Sequence, residues 1–98
     1  ELFRSNKELK IQEDRLRYLA YHDPLTGLPN RKLFAEQLEE SLLWAQSNSL
    51  MVGLLFIDLD GFKKVNDTLG HEMGDRLLIT VASRLNNCLR GSDTVARL

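Results

Sequence analysis

The sequence predicts an α/β domain led in by a charged helix, and three observations carry that prediction. Met51-Val52-Gly53-Leu54-Leu55-Phe56-Ile57 is an apolar run too short for a helix of its own and rich in branched and aromatic residues, the pattern of a buried strand. Helical spacing of apolar residues precedes it from Arg31 to about Ser47 and follows it from Gly74 or Asp75 to Leu89. The strand ends on acid, with Asp58 and Asp60 flanking Leu59, and the rest of the chain is arranged around residues 54–75, LLFIDLDGFKKVNDTLGHEMGD.

The chain has 98 residues, room for one small domain, and a helical arm reduces the part available for a core. With 43% hydrophobic residues and a formal net charge of -1, nothing in the composition calls for nucleic acid or an anionic membrane surface. No apolar run approaches the roughly 18 residues of a spanning helix, and no signal peptide is visible. The chain begins on Glu1-Leu2-Phe3 without an initiating Met and reads as an excised piece, which leaves room for an upstream transmembrane sensor. The single Cys88 excludes an intramolecular disulfide, is compatible with a reducing cytoplasm, and reads as a small core residue rather than a nucleophile.

Residues 1–21 read as one charged helix. Leu2, Leu9 and Leu16 recur every seven residues and Ser5, Gln12 and Leu19 hold the complementary positions, so the seam is apolar at one position and mixed at the other. That pattern fits a weak dimeric coiled coil or a solvated helix packing on its own domain. The helix stops at Tyr21-His22, because Asp23 precedes Pro24 and the residue before proline is pushed out of helical geometry. Gly27 and Pro29 make a rigid double turn, Asn30 is the N-cap of the next helix, and Asp23 and Arg31 are placed to pair across the turn. In that next helix Phe34, Leu38 and Leu42 stand four apart with Leu33 and Leu43 beside them. Glu36, Glu39 and Glu40 face out, Trp44 finishes the core face, and Ser47-Asn48-Ser49 is the break.

On an extended backbone Asp58 and Asp60 point to the same side and Leu59 to the other. Two like charges held that close either bind a cation or cost stability. Hard oxygen ligands favour Mg²⁺, which takes its remaining ligands from water and substrate phosphates, so a nucleotide substrate is implied. Gly61 allows a sharp exit, Phe62 turns back toward the core in a short helical turn to Val65, and Lys63-Lys64 bring positive charge, Lys64 as a solvated residue. Asn66-Asp67-Thr68 and Gly70-His71-Glu72-Met73-Gly74-Asp75 read as a polar double loop, with His71 stabilising it. Asn66 and Asp75 suit the Watson–Crick edge of guanine, or equally a turn and a helix cap. Leu77, Leu78, Val81, Ala82, Leu85 and Leu89 line one side of the last helix, which Arg90-Gly91 ends before an extended segment, Ser92 to Leu98. Arg90 three residues before Asp93 reads as a cation compensating the helix C-terminus.

FIDLDGFKKVNDTLGHEMGD resembles the first half of a GGDEF domain, the diguanylate cyclase family that condenses two GTP into cyclic di-GMP, and Asp23-Pro24-Leu25-Thr26-Gly27-Leu28-Pro29-Asn30-Arg31 is similar to that family's entry motif. The resemblance covers residues 22–98 and implies a division into a helical signalling linker, 1–21, and the first half of a GGDEF domain, 22–98. It implies the palm fold of nucleotidyl cyclases and polymerases, a ferredoxin-like antiparallel sheet with packed helices, here incomplete. It implies Asp58 as the catalytic metal-binding carboxylate, the Leu59 carbonyl as a second ligand, and Asp60 as either a third ligand or a loop support. By the same resemblance the backbone at Phe62 and Lys63 cradles phosphates, Asn66 and Asp75 contact guanine, and Arg90 with Asp93 form an RxxD site for inhibitory product. The cofactor implied is Mg²⁺ or Mn²⁺. The partners implied are GTP, cyclic di-GMP, a second copy through the N-terminal helix, an upstream sensor domain and a downstream EAL phosphodiesterase domain. The setting implied is cytoplasmic, alone or as the cytoplasmic part of a membrane-anchored sensor. The family's GGDEF hairpin is expected to begin just past Leu98, so the function is assigned to the parent domain and these residues alone are expected to be inactive.

Three readings compete. The first is an active cyclase, in which a 3′-hydroxyl attacks the α-phosphate of a second GTP with metal assistance and pyrophosphate leaves. The second is a degenerate GGDEF module that binds GTP or cyclic di-GMP and regulates an attached domain. The third is a phosphatase of the haloacid dehalogenase type, which Asp58-Leu59-Asp60-Gly61 after a strand also resembles, although Phe62 stands where that motif carries Thr or Val. An EF-hand is poorer, because the twelfth position counted from Asp58 is Leu69 rather than Glu.

Overall fold

Each helix starts and stops where the chemistry of its ends requires. The computed structural model describes residues 2–98, with side chains from Asn6 onward, as α1 (Leu2–Tyr21), α2 (Arg31–Ser47), α3 (Phe62–Leu69) and α4 (His71–Asn87). α1 ends at Tyr21, just before the Asp23-Pro24 step that forbids its continuation. Of its predicted seam, the side chains of Leu2 and Ser5 lie outside the described residues, while Leu9, Gln12, Leu16 and Leu19 are all exposed, Leu16 at 67%.

α2 begins as predicted. Asn30 sits in extended geometry and its side chain accepts from the Leu33 N–H at 3.1 Å, satisfying one orphan donor of the first turn. The amide of Asn48 closes the other end on the carbonyls of Trp44 and Ala45. Leu33, Phe34 and Leu38 are half-buried and Ala45 is buried, whereas Glu36, Glu39 and Glu40 are exposed. Trp44 does not finish the core face: it is 60% exposed, as are most of Leu42 and Leu43, because no described element packs on the second half of α2. An apolar groove lined by Phe34, Ala35, Leu38 and Leu42 with Leu98 runs along α2.

The predicted sheet is not formed among the described residues. Residues 51–57 have no ladder partner and are exposed throughout, and the isolated bridge is between His22 and Pro29, far from them in sequence. A strand draws its hydrogen bonds from a neighbour, so an apolar run alone does not make one.

The polar double loop is also corrected. α3 runs through Asn66-Asp67-Thr68 to Leu69, and α4 starts at His71, so the loop contracts to Gly70 at φ +91°. Phe62, Val65 and Leu69 stand at i, i+3 and i+7, which gives α3 an apolar stripe of its own and outweighs the turn preference of Asn, Asp and Thr. Gly61, at φ +74°, supplies the expected sharp entry. Asp75 is the fifth residue of α4, inside it, so it is not that helix's cap, and His71 is its exposed first residue. Leu77, Leu78, Val81 and Leu85 are half-buried and Ala82 is buried, the face the sequence predicted. Cys88 caps α4 with its N–H on the Leu85 carbonyl and is exposed, not part of a core.

α1 packs on α2 and α3 on α4, giving two helix pairs joined by the extended 50s segment. The Cα radius of gyration is 17.7 Å, against about 13 Å for a closed domain of roughly 100 residues, so the pairs stand apart. Ala45 and Ala82 are the buried hydrophobic residues among those described. The pairs meet again where the Arg97 N–H donates to the Pro29 carbonyl at 3.0 Å.

Candidate functional site: the acidic exit and the α3–α4 hairpin

Asp58 and Asp60 leave the extended segment exposed, and Leu59 between them is half-buried. The Leu59 carbonyl accepts from the Phe62 N–H at 3.3 Å, which leaves its second lone pair unused by that bond. Two carboxylates and one carbonyl make an all-oxygen donor set, which suits Mg²⁺ or Mn²⁺ completed by water and phosphate. Among the described residues no group of three or more His, Cys, Asp or Glu side chains gathers so as to hold a metal ion. Lys63 and Lys64, second and third in α3, have no intrahelical acceptor for their N–H groups, which face whatever anion approaches the start of the helix.

The contracted loop sets Asn66 beside the helix that carries Asp75. Asn66, half-buried on α3, lays its side chain into the space that a Cβ at residue 74 would fill, and Asp75 follows directly on α4. Gly74 is therefore required for a packing reason: any side chain there displaces Asn66. The result is an exposed carboxylate and a carboxamide on adjoining helices, a donor and acceptor set able to read a purine edge.

Arg90 and Asp93 form a closed turn beyond α4 rather than its last turn. The Asp93 N–H donates to the Arg90 carbonyl at 3.0 Å, and the Arg90 N–H returns to Asp93 Oδ2 at 3.1 Å. The backbone thus fixes their relative position, while the exposed Arg90 guanidinium makes no ion pair among the described residues.

Sequence reasoning missed one residue of consequence, Arg97. Asp23 pairs with it rather than with Arg31: the Arg97 guanidinium donates to both carboxylate oxygens at 3.2 Å. Asp23 also accepts from the Thr26 N–H at 2.9 Å and the Thr26 hydroxyl at 2.8 Å. Burial by itself raises the Asp23 pKa, but the Thr26 bonds and the Arg97 charge outweigh it and hold the carboxyl below its usual range. No local spacing announces a partner 74 residues away. An arginine alone among apolar residues in Val95-Ala96-Arg97-Leu98 was the available signal.

Comparisons with known proteins identify the family. The family described as diguanylate cyclase, GGDEF domain, matches residues 20–98. The bifunctional diguanylate cyclase/cyclic di-GMP phosphodiesterase MucR of Pseudomonas aeruginosa is 50% identical over 97 residues, 99% of this chain but 13% of that protein. Diguanylate cyclase TpbB of the same organism is 43% identical over 93 residues, 93% of this chain and 21% of that protein. The chain thus spans a small part of the length of these relatives. Among solved structures, TpbB reduced to its GGDEF domain superposes with a TM-score of 0.76 at 48% identity, covering 79% of this chain and 45% of that one. The coiled coil and GGDEF domain of DgcB from Caulobacter crescentus, in complex with cyclic di-GMP, gives 0.76 at 28% identity, covering 97% of this chain and 50% of that one. With the family model, the relatives and the solved structures all matching over most of its length, the chain belongs to the GGDEF domain family of diguanylate cyclases.

Proposed function

We propose that the protein to which this chain belongs is a diguanylate cyclase that joins two GTP into cyclic di-GMP. The observation that carries the reading is the α3–α4 hairpin, which sets Asn66 against Gly74, the residue before Asp75, and whose first helix begins just after the acidic exit at Asp58-Leu59-Asp60. Asn66 and Asp75 bind guanine, and the Phe62–Lys63 backbone holds phosphates at the start of α3. Asp58 and the Leu59 carbonyl hold Mg²⁺ or Mn²⁺, with Asp60 as a further ligand or loop support. When bound, the cation offsets phosphate charge and lowers the pKa of the attacking 3′-hydroxyl. Two phosphodiester bonds form, each by attack of one nucleotide's 3′-hydroxyl on the other's α-phosphate with pyrophosphate leaving, so two such sites must face each other.

In this reading residues 1–21 are a linker and 22–98 the first half of the catalytic domain. Residues 51–57 pair into an antiparallel palm-type sheet with strands outside this chain, and these residues alone are inactive. α1 joins two copies through its exposed seam and receives a signal from an upstream sensor, an EAL phosphodiesterase domain stands downstream, and the whole works in the cytoplasm. No helix among the described residues is long and apolar enough to cross a membrane, so any membrane anchor lies elsewhere in the protein. The closed Arg90–Asp93 turn favours a second role, in which cyclic di-GMP binds there and inhibits, Arg90 pairing with guanine or phosphate.

The test incubates the full-length protein with GTP and Mg²⁺ beside Asp58→Ala and separates products by chromatography. Cyclic di-GMP from the parent and a loss of at least about 10²-fold in the variant are expected. A folded protein that makes none, yet binds cyclic di-GMP in calorimetry and loses it in Arg90→Ala, moves the assignment to a regulatory GGDEF module. A trapped aspartyl-phosphate at Asp58 would point instead to the phosphatase.

A further inference from the structure

The end of α1 and the segment carrying Arg97 are both fastened to residues 22–30. On the α1 side the rings of Tyr18 and His22 stack with centroids 4.0 Å apart and planes within 4°. The backbone N–H of His22 donates to the Tyr18 carbonyl at 3.0 Å, and the ring Nδ1 lies 3.1 Å from the same oxygen. The Tyr18 hydroxyl reaches the Gly27 carbonyl at 3.5 Å. On the other side, His22 and Pro29 face each other in the isolated bridge, and the Pro29 carbonyl takes the Arg97 N–H. A continuous path therefore runs Tyr18, His22, Pro29, Arg97, with the Asp23–Arg97 pair beside it.

Two stacked rings resist rotation of the last turn of α1 against residues 22–30, and with two side-chain torsions each they are held at low entropic cost. The bonds that flank the bridge, from the Asp23 N–H to the Leu28 carbonyl and from the Asn30 N–H to the Tyr21 carbonyl, then pass that orientation to Pro29 and so to residue 97. We propose that Tyr18 and His22 are positioning residues: their stack sets where the Arg97 segment stands relative to the acidic exit. The proposal rests on the cyclase reading for its kinetic readout but not for its structural one. Neither residue belongs to the α3–α4 hairpin, so nucleotide affinity is not what they control.

The test uses the full-length protein as Tyr18→Leu, Tyr18→Phe and His22→Phe, with steady-state kinetics and hydrogen exchange at the Arg97 amide. Tyr18→Leu is expected to lower kcat about tenfold with KM for GTP within about twofold, and to speed Arg97 exchange about tenfold. Tyr18→Phe and His22→Phe, which keep a stacked pair, are expected to stay within about threefold of the parent on all three readouts. His22→Leu removes the stack from the other ring and must shift the same quantities if Tyr18→Leu does not fold. Unchanged kcat and exchange in Tyr18→Leu overturns the proposal, as does a rise in KM without loss of kcat, or Tyr18→Phe as damaged as Tyr18→Leu. If the parent makes no cyclic di-GMP, the cyclase reading fails while the exchange comparison still decides the coupling.

Discussion

Residues 22–30 and residues 51–57 are similar in length and opposite in how they satisfy their backbone. In the first, the N–H groups of Asp23, Thr26, Gly27, Leu28 and Asn30 all find acceptors within the turn or on the end of α1. In the second, no N–H or C=O is paired among the described residues, and Leu55 and Phe56 are 86% and 77% exposed. Hydrophobicity predicts that a stretch will be covered but not by which neighbour. A turn carries its partners within a few residues of sequence; a strand borrows them from elsewhere. The joint is accordingly complete in this chain and the strand is not.

The comparison can be broken at its strand end first. If residues 51–57 pair in a sheet in the full-length protein, Phe56→Ala there costs about 3–5 kcal/mol in denaturant unfolding; a change near zero would show that the segment is never covered. At the turn, Asp23→Ala removes the acceptor of Thr26 and Arg97 together, and about 2–3 kcal/mol of destabilisation is expected by thermal unfolding. Asn30→Ala should cost about 1–2 kcal/mol, with Asn30→Asp recovering the cap on Leu33 but not the donor to the Ala20 carbonyl. The smallest effect is in pH. Asp23 has a depressed folded-state pKa, so its contribution is full above the unfolded value of about 3.9 and is lost as pH falls through the folded value. The stability gap between the parent and Asp23→Asn should therefore narrow in that acid window, and a gap that stays constant down to pH 2 would contradict the ion pair.

The features legible in the sequence divide along the same line. The stop of α1, the Asn30 cap, the break at Ser47-Asn48 and the apolar face of α4 depend on neighbours within a turn or two, and all are present. Trp44 and Cys88 were expected in a core that no described element closes. α3 was underestimated because Asn66-Asp67-Thr68 carries turn residues, while the Phe62, Val65, Leu69 stripe is short and easily overlooked. Asn66 and Asp75 accordingly stand on two helices of a hairpin, with Asn66 against Gly74, instead of in a loop. The Arg97 pairing was beyond reach, since charge complementarity alone does not choose between Arg31 beside the turn and a residue 74 positions away.

Asn30 bonds both helices, donating from its side chain to the Ala20 carbonyl and from its main chain to Tyr21, and accepting from Leu33. This keys α1 like a shaft in a socket, leaving no free angle between the helix and the turn at residues 22–30. A residue inserted into α1 before Tyr18 would turn everything on its N-terminal side by about 100°, whereas seven inserted residues would bring it back to within about 20°. The length of α1 therefore stores an angle, and counting its residues is a way of reading how the start of α1 faces the turn at residues 22–30.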